Sequence, residues 1–262
     1  MLSRKTIQSK KALLIGVNYV GTSSALHGCW NDVYLMKDYL SQNGYTSFTM
    51  MTDEDKNRNN NLFPTRNNVL QQISNFVRTA RPNEKLVLYF SGHGGNRRDT
   101  NRDERDGVDE TICVFSENKR TTISILDDEL RLLLEPLRSD ASLRCFFDSC
   151  HSGTVLDLPY RWFIDRTAFV ESRYMNKNIL MISGCADNQY SHETVIERDG
   201  NFKPQGALTY FMLQTLNEYK NKNIRWIDLV GLTQDKLRMN GYQQIPQSGF
   251  CNVSTLLSKC DL

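Results

Sequence analysis

Strand-length apolar runs alternate along this chain with segments of helical spacing, and that alternation limits the fold more than any other feature of the sequence. Strands are expected at 11–17 (KALLIGV), 45–51, 84–91 (EKLVLYFS), 142–149 (SLRCFFDS) and 178–184 (NILMISG). Helical spacing falls between them at 29–42, 66–80, 127–138, 206–221 and 226–240, with Thr65 and Asp127 placed to cap the second and third helices. Strands that read as nearly continuous apolar runs are buried on both faces, so the expected architecture is a doubly wound α/β domain on a mostly parallel sheet. With 262 residues, 39% of them hydrophobic, a single core is expected. Three stretches read as loops: the Asn-rich run 53–64, the charged run 96–109 and the Gly, Asn, Asp and Pro cluster at 185–205. Open parallel sheets bind ligands beyond the carboxyl ends of their strands, so chemistry is to be sought in the segments that follow them.

Charge narrows the partner. The 32 basic and 30 acidic side chains leave a formal net charge of +2, without the strong positive field expected of a protein that binds nucleic acid or a membrane surface. A peptide partner is expected instead. No apolar run approaches the roughly 18–20 residues of a membrane helix, and the basic start MLSRKTIQSKK is not followed by a signal-type apolar core. Cys29, Cys113, Cys145, Cys150, Cys185, Cys251 and Cys260 form an odd set without CxxC pairs, which argues against a disulfide framework and against a zinc knuckle. Free thiols in a reducing intracellular compartment, cytoplasmic or nuclear, and a monomeric protein are the expectation.

Two expected strands end in reactive side chains. LVLYF leads into Ser91-Gly92-His93-Gly94-Gly95, where the glycines let the backbone turn sharply and a substrate approach closely. CFFDSC leads through Asp148 and Ser149 to Cys150, followed by His151, Ser152 and Gly153. Taken singly, His93 is compatible with an ordinary glycine turn and Cys150 with a buried structural thiol. Together they supply the nucleophile and base of thiol acyl transfer. A thiol of pKa about 8.5 is only a few per cent ionised at pH 7 and needs an imidazole beside it. His151 is a rival base, but its side chain is expected to point away in a helix-like turn after Cys150.

SGHGG followed by FDSCHSG resembles the metacaspases, relatives of the caspases, which place the histidine about fifty residues before the cysteine. The resemblance runs from LLIGVNY and LHGCWND near the start to PQSGF near the end. It implies a caspase-like, mostly parallel six-stranded sheet with helices on both faces. It also implies a large-subunit segment over about 1–160, a linker over about 161–178 and a small-subunit segment over about 179–262. No Pro-rich or zinc-finger extension and no long insertion between the segments is evident, so the chain looks like a type I core without its prodomain.

The same resemblance assigns roles. Cys150 becomes the nucleophile and His93 the proton-transfer partner, with the N–H groups of Gly94 and Cys150 as an oxyanion hole. Cys29, Asp32, Ser91 and Asp148 become the pocket for the residue before the cut, where two carboxylates favour Arg or Lys and repel Asp. Asp32 as a helix cap and Asp148 as a strand-end turn residue are the plainer alternatives. Asp109, Asp127, Asp128 and Asp157 match the family's calcium ligands, an all-oxygen set that suits a hard cation better than zinc. Here the plainer alternatives are a cap at Asp127 and a solvated charge run around Asp109, and Glu104 and Asp106 are further possible contributors. Basic residues in the expected linker, Arg161, Arg166, Arg173 and Lys177, offer sites for self-cleavage. The rival readings are a non-catalytic caspase-like scaffold and a paracaspase or bacterial relative without a calcium requirement. A metal-dependent hydrolase using His93 and His151 lacks the expected HExxH spacing.

Overall fold

The computed structural model describes residues 8–98, 107–162, 167–169, 174–185, 193–198 and 201–262. The chain begins with β1 (Lys10–Gly16), α1 (Cys29–Gln42), β2 (Ser47–Thr52), α2 (Arg66–Arg78) and β3 (Lys85–Ser91). It continues through β4 (Gly94–Arg98), β5 (Val108–Phe115), β6 (Thr122–Leu126), α3 (Asp127–Leu134), β7 (Ser142–Asp148), β8 (Tyr160–Trp162) and β9 (Thr167–Phe169). After β10 (Asn178–Ser183) come β11 (Glu193–Arg198), β12 (Asn201–Gly206), α4 (Ala207–Glu218), α5 (Trp226–Met239), β13 (Gln247–Phe250) and α6 (Val253–Leu257).

Among the described residues the main sheet runs β2-β1-β3-β7-β10-β13-β8-β9. The first five strands are mutually parallel, and β13 joins β10 antiparallel. The expected six-stranded, mostly parallel sheet is the body of this one. It is lengthened to eight strands because the three-residue strands β8 and β9 pair in turn beyond β13, covering an edge that would otherwise expose a row of main-chain donors and acceptors. Part of the expected linker is therefore strand.

Period-two alternation decides which helix each strand residue meets. Along β3, Leu86, Leu88 and Phe90 join the core that holds Val69, Ile73 and Val77 of α2 and Leu130 and Leu134 of α3. The intervening Val87 and Tyr89 join the opposite core, with Val33, Met36 and Leu40 of α1, Leu208 and Met212 of α4, and Trp226 and Leu229 of α5. Helices thus cover both faces, and the strands keep their nearly unbroken apolar composition because both faces are dry.

Three local expectations need correction. Thr65 does cap α2, accepting the Asn68 N–H at 3.4 Å, but Asp127 is the first residue of α3 rather than its cap. The capping interaction comes from Glu129, whose carboxylate accepts the Leu126 N–H at 3.2 Å. That helix also stops at Leu134, short of 138, because Pro136 has no N–H with which to continue the ladder. Finally, the expected loops at 96–109 and 185–205 contain strand. β4 and β5 belong to a three-stranded sheet with β6, and β11 pairs with β12 as a ribbon. These strands lie outside the main sheet; polar composition hid β4, β11 and β12, and the run Asp109-Glu110-Thr111 hid the start of β5, whose Ile112, Val114 and Phe115 reach the core.

Candidate active site

The two motif-bearing strands are neighbours in register. β3 pairs parallel with β7, and Ser91 at the end of one lies opposite Asp148 at the end of the other. His93 and Cys150 each follow two residues later, so the sheet delivers both to one rim. The turn between them is tight: a Cβ built on Gly94 would lie 1.9 Å from the Cys150 carbonyl oxygen, so only glycine allows this approach.

Two groups upstream hold the imidazole. The His93 Nε2 lies 2.8 Å from the Ser24 carbonyl oxygen, and a carbonyl only accepts, so this nitrogen carries the proton and leaves Nδ1 as the basic nitrogen. The Tyr19 hydroxyl accepts the His93 N–H at 2.7 Å and donates to the Cys113 carbonyl at 2.8 Å, and its ring lies 4.6 Å from the imidazole, centroid to centroid. Burial raises the Tyr19 hydroxyl well above its ordinary pKa, so it remains the donor in this arrangement. Cys150 itself is half-buried. Nearby Cys185 is pushed up to about 12 by burial and donates to the Ser149 carbonyl at 3.4 Å, as an inert structural thiol would. The segment after Cys150 is not helix-like as expected; it turns through His151 in the left-handed region at φ 49°.

Beside this pair, three of the expected pocket residues meet. Asp32 is 1% exposed and accepts the Ser91 hydroxyl at 2.8 Å, together with the Gly206 N–H at 2.9 and 3.0 Å. Asp148 is 5% exposed and accepts both the N–H and the hydroxyl of Thr209, at 2.9 and 2.7 Å, on its Oδ2. A Cβ on Gly206 would meet Asp148 Oδ2 at 2.1 Å and Asp32 Oδ2 at 2.9 Å, so the two carboxylates converge on the same side of this glycine and only glycine leaves them room. Cys29 is buried behind them, its N–H donating to Asn18 Oδ1 at 3.0 Å.

A second acidic group gathers around the start of α3. Asp109, Asp127 and Asp157 are buried, and Asp128 is half-buried. Asp127 accepts the Glu110 N–H at 2.7 Å on one oxygen and the Asp128 N–H at 2.8 Å on the other. Burial nevertheless pushes its carboxyl up to about 7, and the charges of Asp157 and Asp109 add to the rise against those two hydrogen bonds. Asp157 sits at φ 51°, with its carbonyl accepting from Arg131 Nη1 at 2.5 Å. Among the described residues no group of three or more His, Cys, Asp or Glu side chains is arranged to hold a metal ion as it stands. Glu104 and Asp106 lie outside the described residues, as do Arg166 and Arg173.

A profile of the family described as metacaspase, peptidase C14 domain, matches residues 10–159, the stretch that contributes His93, Cys150 and both pocket aspartates. The chain belongs to the metacaspase family. Metacaspase-1 of Yarrowia lipolytica is 46% identical over 153 residues, which are 58% of this chain and 33% of that protein. Metacaspase-1B of Aspergillus niger is 30% identical over 309 aligned residues, covering 97% of this chain and 68% of the relative. The first three curated relatives are spanned over only about a third of their length, 33%, 36% and 35%. A crystal structure of a Geobacter sulfurreducens protein superposes with a TM-score of 0.66 at 26% identity, covering 97% of this chain and 98% of that one. Among the described residues no helix is long and apolar enough to cross a membrane.

Four contributors to this candidate site went unread in the sequence. Ser24 acts through a carbonyl, which every residue possesses, and so leaves no signal. Tyr19 stands in the LLIGVNY run, where it reads as core. Gly206 and Thr209 occur in QGALTYF, whose Gly-Ala-Leu-Thr start marks a helix terminus but not what that terminus touches.

Proposed function

We propose that this chain is a cysteine endopeptidase that cleaves after Arg or Lys and is switched on by calcium. The observation that carries the catalytic part is the register of β3 on β7, which brings the His93 turn onto Cys150 while the Ser24 carbonyl accepts a hydrogen bond from Nε2–H. In this reading His93 Nδ1 accepts the Cys150 thiol proton as sulfur attacks the scissile carbonyl carbon. The carbonyl oxygen gains charge facing the N–H groups of Gly94 and Cys150. The protonated imidazole then delivers its proton to the departing amine, which leaves an acyl-enzyme that water hydrolyses.

Substrate choice follows from Asp32 and Asp148. Two buried carboxylates prefer a guanidinium or ammonium and exclude an aspartate side chain by charge. Calcium suits Asp109, Asp127, Asp128 and Asp157 by donor chemistry, since all four offer hard oxygens and the burial that raises Asp127 is relieved by a cation. The ion supplies neutralising charge. The chain's part is to bring Asp157, on the segment after the nucleophile, and Asp109, on β5, toward Asp127.

Self-processing belongs to the same proposal, with a restriction. Arg161 lies in β8, paired with β13 on one side and β9 on the other, and must leave the sheet before it can be cut. Lys177 donates to the Leu137 carbonyl at 2.5 Å. Fluorogenic peptides ending in Arg, Lys or Asp test the reading, assayed with calcium or chelator alongside Cys150→Ala and His93→Ala. Turnover after Arg and Lys that requires calcium and vanishes in both variants is expected. Turnover surviving in Cys150→Ala, or efficient cleavage after Asp, overturns it.

A further inference from the structure

The carboxylate of Asp148 does not stand alone at the end of β7. Its Oδ2 receives two hydrogen bonds from one residue of α4, the Thr209 N–H at 2.9 Å and the Thr209 hydroxyl at 2.7 Å. The Thr209 hydroxyl oxygen also lies 2.6 Å from the hydroxyl of Tyr89, which points in from β3. Proton inventory sets the direction of this chain. An ionised carboxylate only accepts, so the single Thr209 hydroxyl hydrogen goes to Asp148, and its oxygen is left to accept from Tyr89. Tyr89 keeps that hydrogen, because burial and the charges of Asp32 and Asp148 hold its hydroxyl well above the ordinary value. Tyr89 and Thr209 are wholly buried, so none of these bonds is exchanged readily for water.

We propose that Thr209 is a positioning residue of the basic-residue pocket: it fixes the orientation and charge of the Asp148 carboxylate that receives the substrate's cation, with Tyr89 orienting Thr209 from behind. The inference rests on the pocket reading above and assigns part of that specificity to α4, outside residues 10–159 that match the family profile. Two donors on one oxygen leave the carboxylate little freedom to rotate. Both favour its charged form, as does the N-terminal end of the 12-residue helix from which Thr209 reaches it. The neighbouring Gly206 N–H does the same for Asp32, so the first turn of α4 holds both pocket carboxylates at once.

The test compares wild type with Thr209→Val, Thr209→Ala, Thr209→Ser and Tyr89→Phe, each checked for native circular dichroism, on Arg, Lys and Asp peptides from pH 5 to 9. Loss of the hydroxyl should raise KM for the Arg peptide by about ten- to a hundredfold with a smaller change in kcat, the size expected of one hydrogen bond to a charged group. It should also move the acidic limb of the kcat/KM profile to higher pH. Thr209→Ser, which keeps the donor, should recover most of the loss, and Tyr89→Phe should fall between it and Thr209→Ala. If Thr209→Val fails to fold, the Ala and Ser pair carries the comparison. An unchanged KM and acidic limb in Thr209→Ala, beside a wild type that cuts after Arg, overturns this inference alone. A wild type that cuts after neither Arg nor Lys overturns the pocket reading as well.

Discussion

Asp32 and Asp148 are buried as deeply as Asp127, yet the protein treats the two acidic groups differently. The pair expected to form the pocket is met by four donors from three residues: the Ser91 hydroxyl, the Gly206 N–H, and both the N–H and the hydroxyl of Thr209. Asp127 has two main-chain N–H partners, but it faces the charges of Asp157 and Asp109, and its carboxyl is pushed up to about 7. A carboxylate whose charge is stabilised by donors is ready before its ligand arrives. One that resists ionisation gains most when a cation comes. On the proposed function, this difference would separate a preformed recognition site from an ion-dependent one, and it can be tested by removing one charge from each.

The largest effect is expected from the pocket. Asp148→Asn or Asp32→Asn should lower kcat/KM on Arg peptides about 10²- to 10³-fold, because a substrate cation would then be buried without its partner. Asp127→Asn, assayed at saturating calcium, should cost much less and instead shift the calcium midpoint upward. Equal losses in kcat/KM from both changes under those conditions would show that the two groups do not have separate tasks.

A smaller effect concerns stability in chelator. An ordinary aspartate carboxyl near 3.8 rises to about 7 at Asp127, so between these values the folded protein holds a proton that the unfolded chain has released. Stability from this group is therefore fully present below about pH 4 and is lost as pH rises through 7. About 1.4 kcal/mol is at stake for each pH unit between these two values, on the order of 4 kcal/mol in all. Thermal unfolding in chelator from pH 5 to 8 should show the melting temperature falling, with a flatter profile in Asp127→Asn. Calcium should restore the most stability at the alkaline end. A wild-type profile that is flat or rises over this range contradicts the description of Asp127 as a reluctant anion.

What could be read from the sequence follows the same physical division. β1, β3, β7 and β10 announced themselves because both of their faces are dry, and His93 and Cys150 because each stands just beyond such a strand. β4, β11 and β12 did not, since pairing within small outlying sheets places no demand for apolar residues on strands such as GGNRR, and in β5 the run Asp109-Glu110-Thr111 interrupts the apolar pattern before Ile112, Val114 and Phe115 join the core. The pocket aspartates were legible as charges, but their partners were not. Gly206 and Thr209 lie 174 and 61 residues away in sequence from the carboxylates they bind, and no local pattern encodes a contact of that span. The segment after Cys150 was misread as helix-like because its small polar residues do not reveal the left-handed backbone at His151 and Asp157.

The smallest expected effect distinguishes Asp128 from its neighbour. Asp128 is the second residue of α3 and half-buried, so its charge lies close to the N-terminal end of the helix and to water. In chelator, Asp128→Asn should cost no more than about 0.3–1 kcal/mol, the worth of one anion at a helix N-terminus, as measured by urea unfolding. If Asp128 belongs with Asp109, Asp127 and Asp157 in holding calcium, removing one charged ligand should weaken binding several-fold in a calorimetric titration, since affinity follows the number of charged ligands. A calcium midpoint unchanged in Asp128→Asn, with the small loss in chelator still present, would exclude Asp128 from the ion's ligands and leave it as a helix-terminal charge.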